Sequence, residues 1–244
     1  MLLFGEGGEG SHSGNHEALY LLAGTASPVR LGDLDGADAF LSPDGKWVLA
    51  PVQAQSGWKL NRLPTGTGEA QTIAPNGIEP QHAQWFPDGK RILVTGRAPG
   101  RPFRQYAMDL DRRTMRSVTP EGIDGVVMSP DGERVLQENF EPPLIFPVSG
   151  GDPVPLNGDL QGLDRALGWS ADGRSIFAGG VGMPGRIMRL DLATGRRETL
   201  KELVPADTAG AQQIIPVRIT PDGRYYVYTY FRRLSDLYLA DRLR

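Results

Sequence analysis

The strongest constraint in this sequence is a corner that returns five times. It reads LSPDGKWVLA at 41–50, FPDGKRILVT at 86–95, SPDGERVLQE at 129–138, SADGRSIFAG at 170–179 and TPDGRYYVYT at 220–229. The marker aspartates Asp44, Asp88, Asp131, Asp172 and Asp222 are spaced by 44, 43, 41 and 50 residues. A period of roughly 40–45 residues is that of a four-stranded propeller blade. In Ser42-Pro43-Asp44-Gly45, proline presets φ for the first central position, aspartate accepts backbone N–H groups, and glycine supplies a left-handed residue. That combination predicts a type I turn with a G1 bulge joining two antiparallel strands.

The flanking residues agree. After each corner comes a short β-branched or aromatic run (KWVLA, KRILVTG, ERVLQ, RSIFAGG, RYYVYTY), and a further strand follows in each unit: WKLNRL, FRQYAMDLD, PLIFPV, RIMRLDL, DLYLADRL. Outer strands such as MRSVTP and RRETLKEL complete the pattern. No apolar stripe of helical period and length is present outside a short turn expected near Glu202. With 32 glycines and 20 prolines mixed among apolar runs, the chain reads as turn-rich rather than disordered.

The fold class expected is all-β: a β-propeller of four-stranded antiparallel blades, six in number, with incomplete first and last blades. Residues 1–36 would form a partial blade, 37–79, 80–123, 124–162 and 163–210 full blades, and 211–244 a second partial blade, all within one domain. That makes about 22 strands where six complete blades hold 24, so the ends do not complement each other within one blade. The chain is therefore expected to be part of a longer protein. Trp85 and Trp169 precede their corners at the position of Leu41, Met128 and Ile219 and are expected to pack between blades.

The recurring apolar residue, Ser/Phe/Thr, Pro/Ala, Asp-Gly and apolar strand resemble the TolB-type, WD-repeat-like propeller repeat of bacterial proteins, over essentially the whole chain. The closing VYTYFRRLSDLYLADRLR resembles the C-terminal end of propeller domains attached to bacterial serine/threonine protein kinases. The resemblance implies a sensor, scaffold or interaction module; related propellers assist envelope proteins or cover the active sites of prolyl-oligopeptidase-like enzymes. The kinase itself is not encoded here: no Gly-rich loop with a strand lysine, His-Arg-Asp loop or Asp-Phe-Gly occurs.

Bulk charge narrows the partners. With 26 basic and 29 acidic residues, net −3, there is no broad attraction for nucleic acid or an anionic membrane. No run approaches the roughly 20 apolar residues that span a bilayer, so no membrane insertion is expected, and MLLFGEGGEG has no basic n-region of a signal peptide. Zero cysteines remove disulfides and thiolate chemistry and fit cytoplasm and periplasm equally. The partner expected is a protein, peptide or small ligand.

Several motifs imitate chemistry. Gly5, Gly7 and Gly10 satisfy G-x-G-x-x-G, but a strand-like segment, not a helix, follows, so no dinucleotide cofactor is expected. His12 and His16 lie in a glycine-rich loop, and His82 has no partner histidines in neighbouring units, so no metal is expected. DLDGAD at 33–38 breaks the order of a calcium loop. The corner aspartates would be dispersed around one face rather than paired for acid–base work, and GWSADG is a corner, not a nucleophile elbow. No catalytic residue is assigned.

Tight corners would occupy one face, and the irregular connections the other, where recognition usually resides. The binding residues expected there are Trp58, Arg97, Arg101, Arg104, Phe140, Met183 and Arg186, with His82, Asp164 and Gln212 near the mouth of a channel. Arg97, Arg101 and Arg104 could together hold a carboxylate or an acidic peptide. The alternative is a hydrolase or lyase whose channel-mouth site is assembled from residues distant in sequence.

Overall fold

The computed structural model describes residues 2–6, 17–34, 39–54, 57–73, 75, 77–138, 140–158, 160 and 165–233. His12, His16, Gly7, Gly10, Asp164 and the DLYLADRL segment lie outside these residues. Among them the regular structure is entirely β, and no helix is long and apolar enough to cross a membrane.

A three-stranded sheet comes first, in the order β1 (Leu2–Glu6), β2 (Glu17–Leu22), β3 (Val29–Leu34). Four four-stranded sheets follow. They comprise β4 (Phe40–Leu41), β5 (Trp47–Ala54), β6 (Gly57–Pro64) and β7 (Gln71–Ile73); then β8 (Glu79–Trp85), β9 (Arg91–Arg97), β10 (Arg104–Asp109) and β11 (Met115–Ser117). Next are β12 (Val126–Met128), β13 (Arg134–Gln137), β14 (Leu144–Pro147) and β15 (Val154–Pro155), then β16 (Arg165–Trp169), β17 (Ser175–Gly180), β18 (Gly185–Asp191) and β19 (Arg197–Leu203). A two-stranded sheet, β20 (Ala211–Ile219) with β21 (Tyr226–Arg232), is the last described. Within every sheet chain order is spatial order, the antiparallel meander of a propeller blade. Gly5 lies in β1 opposite Leu19, in a strand rather than a phosphate-binding turn.

The expected turn near Glu202 is instead strand: Arg186 faces Glu202 across β18 and β19. RETLKEL has helix-forming residue types, but pairing to a preformed β18 outweighs a short segment's weak helical preference.

Residues 1–126 with 146–152 form one compact unit, and 127–145 with 153–244 form another. In the first, Leu49, Leu60, Ala83, Trp85, Ile92, Val94 and Met108 make one buried cluster; Leu19, Val48, Ala50 and Leu63 make a second. In the other unit, Leu136, Ile145, Leu156, Ala166, Trp169, Ile176 and Leu190 form one cluster, and Leu167, Phe177, Ile187, Leu203 and Ile214 form another. Each cluster draws on two successive sheets, so the apolar faces are buried between blades.

The two tryptophans before corners are buried, as expected, and also bonded. Trp85 Nε1 donates to Phe40 O of the preceding sheet at 3.1 Å, and Trp169 Nε1 donates to Val127 O at 3.0 Å. A buried indole N–H without a partner would be costly, so each bond fixes one sheet against the last. Arginines close these interfaces. Arg62 lies 3.9 Å from the Trp47 ring centroid and 5.6 Å from that of Trp85, and Arg134 lies 4.7 Å from Trp169 while donating to Gly173 O. Burial pushes the Arg62 guanidinium down in pKa, against the opposing pull of Asp44 and Asp111.

Candidate functional site

The corners settle what the five aspartates do. Ser42 Oγ donates to Asp44 Oδ1 at 2.6 Å, Lys46 N donates to the same oxygen, and Trp47 N donates to Ser42 Oγ. Ser129–Asp131, Ser170–Asp172 and Thr220–Asp222 repeat the arrangement. At Asp88, where Phe86 replaces the hydroxyl residue, Lys90 N, Arg91 N and Arg91 Nε donate instead. Gly45, Gly89, Gly132, Gly173 and Gly223 all have φ between 65° and 72°, as the turn requires.

These contacts set the electrostatics. Hydrogen bonds from the partner hydroxyl and the corner backbone hold Asp44, Asp172 and Asp222 below the ordinary carboxylate range. For Asp88 and Asp131, partial burial pushes upward, but hydrogen bonds and a nearby arginine outweigh it. Carboxylates held ionised within their own turns are poor general acids.

The irregular connections of the first unit bring several expected residues together. Glu79 at the start of β8 pairs across from Arg97 at the end of β9, and Arg104 at the start of β10 pairs with Gly96. Arg97 Nε donates to Glu79 Oε2 at 2.9 Å, and its guanidinium lies 4.7 Å from the Phe103 centroid. Gly57, with φ 103°, lies so near that a Cβ there would be 3.8 Å from Glu79 Oε1. Trp58 follows it, half-buried and paired with Gln53.

The three arginines are already engaged. Arg101 forms a 2.7 Å ion pair with Glu121, whose hydrogen bond and charge raise the arginine's pKa. Arg104 Nε donates to Thr119 O at 2.9 Å, and its guanidinium lies 5.7 Å from the Tyr106 centroid. An incoming carboxylate would compete with Glu79 and Glu121 rather than meet three open guanidinium groups. His82 is half-buried in mid-β8, opposite Thr95. Thr95 Oγ1 donates to the fully buried Gln105 Oε1, whose own Nε2 donates to Ile123 O.

In the other unit the expected residues are more dispersed. Phe140 is exposed, its N–H donating to the buried Gln137 side chain. Met183 is exposed before a cis proline, Pro184. Arg186 in β18 lies 3.4 Å from Glu202, and Gln212 is exposed in β20 beside a register shift. Among the described residues, no group of three or more His, Asp or Glu side chains could hold a metal ion.

Glu79, Phe103 and Glu121 were not singled out by sequence reasoning. Counting outward from the corner pairs Trp85 with Ile92 and would set Pro80 opposite Arg97. A bulge between Pro80 and His82 shifts the register by one and delivers Glu79 instead.

No family model and no curated protein sequence matches this chain. Among solved structures, TolB from Acinetobacter baumannii aligns with a TM-score of 0.62 at 20% identity, over 88% of this chain and 60% of that one. A putative TolB from Agrobacterium tumefaciens gives 0.63 at 20% identity, over 88% of this chain and 84% of that one. A structure of the nidogen/laminin complex gives 0.60 at 17% identity, over 89% of this chain and 82% of that one. The chain thus spans less than two thirds of the Acinetobacter protein, and the likeness concerns architecture. Blade order, the fivefold corner and these alignments together give the chain the all-β propeller fold of TolB-type proteins.

Proposed function

We propose that this chain is a non-catalytic binding or scaffold module, with six blades of which the first and last are incomplete, that recognises a protein or peptide through its irregular connections. It would serve as the sensor part of a bacterial kinase-associated protein. The observation that carries the reading is the Glu79–Arg97–Phe103 cluster near Gly57, the residue before Trp58: a stacked arginine, an aromatic ring and a carboxylate where β8, β9 and the entry to β10 meet the start of β6 in the adjacent sheet. Aromatic and arginine side chains supply most interface energy, and rigid strands present them at low entropic cost. Arg101, exposed and paired with the half-buried Glu121, would orient a partner and affect its rate of arrival more than its affinity.

Of the expected binding residues, Trp58, His82, Arg97, Arg101 and Arg104 would form the recognition surface of the first unit. Phe140, Asp164, Met183, Arg186 and Gln212 would serve the other. The partner favoured is a peptide or protein segment offering an apolar side chain to Trp58 and Phe103 with both charge signs nearby, rather than a purely acidic peptide.

The test is capture of proteins from the source organism's lysate by the immobilised chain, compared with Trp58→Ala/Phe103→Ala and with Arg97→Ala/Arg101→Ala/Arg104→Ala. Selective loss of the same captured proteins from both variants is expected. An unchanged set would remove the surface, and turnover of ester or peptide substrates by the purified chain would replace the binding reading with the hydrolase one.

A further inference from the structure

The chain leaving β15 is fastened to the β18–β19 turn by one side chain. Asn157 Nδ2 donates to Leu192 O at 3.1 Å and to Ala193 O at 2.9 Å, so both amide hydrogens are engaged by the next sheet. Of the short side chains, only asparagine's offers two N–H donors. Gly158 follows under an independent constraint. Its φ is 96°, and a Cβ there would lie 2.7 Å from Leu190 Cδ1 and, on the backbone, 3.1 Å from Gly195 O and 3.2 Å from Gly195 Cα, so no side chain fits. Packing thus requires asparagine and then glycine. That dipeptide is also the one most open to imide formation, because no side chain on the second residue hinders its nitrogen from reaching the asparagine Cγ. Both residues are exposed, so water reaches the bond.

We propose that Asn157–Gly158 is a deamidation site, and that its modification releases the latch between the end of β15 and the β18–β19 turn. The Gly158 nitrogen gives its proton to hydroxide and attacks Asn157 Cγ. Once the new N–C bond has formed, the Cγ–Nδ2 bond breaks and Nδ2 leaves as ammonia, taking a proton from water and restoring the hydroxide. Water then opens the cyclic imide at either carbonyl, leaving aspartate or isoaspartate at position 157. The net change is gain of water and loss of ammonia, with nothing oxidised or reduced. Either product undoes the contact. A carboxylate has no hydrogen to donate and sets its charge against two carbonyl oxygens. Isoaspartate also lengthens the main chain by one methylene beside Gly195, where a Cβ on Gly158 already has no room. The turn, closed within its own sheet by Gly195 N donating to Asp191 O at 2.8 Å and Leu192 N donating to Arg174 O at 2.9 Å, then loses its hold on the preceding strand irreversibly.

Peptide mapping and hydrogen exchange test this on the full chain aged in mildly alkaline buffer. The peptide carrying Asn157 should gain the mass of amide-to-acid conversion and accept a methyl group from an isoaspartate-specific methyltransferase; mapping separates it from the other Asn-Gly, at 76–77. In the converted molecules the Leu192 and Gly195 amides should exchange at least ~10-fold faster than before ageing. Asn157→Asp, which carries one of the two products from the start, should show the same faster exchange without ageing. An Asn157 that remains an amide in the folded chain, whatever happens to it in urea, would overturn the proposal. So would conversion that leaves Leu192 and Gly195 exchange unchanged, for then the amide latches nothing. If Asn157→Asp does not fold, the aged chain, modified after folding, decides between these outcomes.

Discussion

The sheets β16–β19 and β20–β21 start from the same corner and reach opposite surroundings. In the first, Ser170 Oγ donates to Asp172, Ser175 N returns to Ser170 Oγ, and Gly173 has φ 65°. In the second, Thr220, Asp222, Tyr225 and Gly223 repeat those contacts, with φ 72°. Beyond the corner the likeness ends. Trp169 is 2% exposed and Ser175–Gly179 is buried, whereas Ile219 is half-buried and Tyr225, Tyr226 and Val227 are exposed. The corner is thus a local structure, closed within its own six residues, while burial depends on what lies against each sheet.

The contrast yields its largest effect at the residue before the corner. Trp169→Ala should lower unfolding free energy by about 3–5 kcal/mol, since it removes a buried ring and leaves a cavity. Ile219→Ala should lower it by about 1–2 kcal/mol, as a half-buried side chain has less to lose. Urea unfolding followed by circular dichroism measures both, and equal losses would break the comparison.

The corner glycines should behave alike. Alanine at Gly173 or Gly223 forces a left-handed conformation at about 1–2 kcal/mol in either sheet. Gly173 should be the costlier, because Arg134 Nη2 lies 2.8 Å from the new Cβ, whereas the nearest atom at Gly223 is the Phe177 ring at 3.5 Å. A difference far beyond about 1 kcal/mol would mean that the corner is not local after all.

Acid should weaken both corners together. The Ser170 hydroxyl and Arg174 N–H depress the Asp172 pKa, and Thr220 and Arg224 N–H do so for Asp222. A depressed folded pKa gives stability that is complete above the unfolded value of about 4 and is lost as pH falls through the folded one. The urea midpoint should therefore fall with pH below about 4, and Asp172→Asn should flatten part of that slope. A profile unchanged by the substitution would remove the corner carboxylates as its cause.

The smallest effect concerns the edges. Glu198→Val/Lys201→Val should change stability by less than about 0.5 kcal/mol, yet sedimentation velocity should show more self-association. An unaltered sedimentation profile would show that charge does not guard β19.

Much of the architecture was legible because a corner reports itself. Pro43-Asp44-Gly45 specifies its turn without long-range help, and five copies at blade period reveal the number of strands between corners. The candidate site was legible only in part. Arg97, Arg101 and Arg104 stand out in sequence, but Glu79 and Glu121 lie 18 and 20 residues from their partners. Their pairing depends on a bulge and on loop paths that no periodicity encodes. The indole bonds of Trp85 and Trp169 escaped for the same reason, since Phe40 and Val127 are 45 and 42 residues away.

What the amino-acid order determined by itself was the corner, the alternation of strands around it and hence the blade as a unit, because those interactions close within a few residues. Tertiary structure decided which carbonyl each buried indole meets and which arginine is already engaged. Those outcomes depend on the distance between groups on different sheets, and burial and Coulomb energies follow that distance rather than separation along the chain.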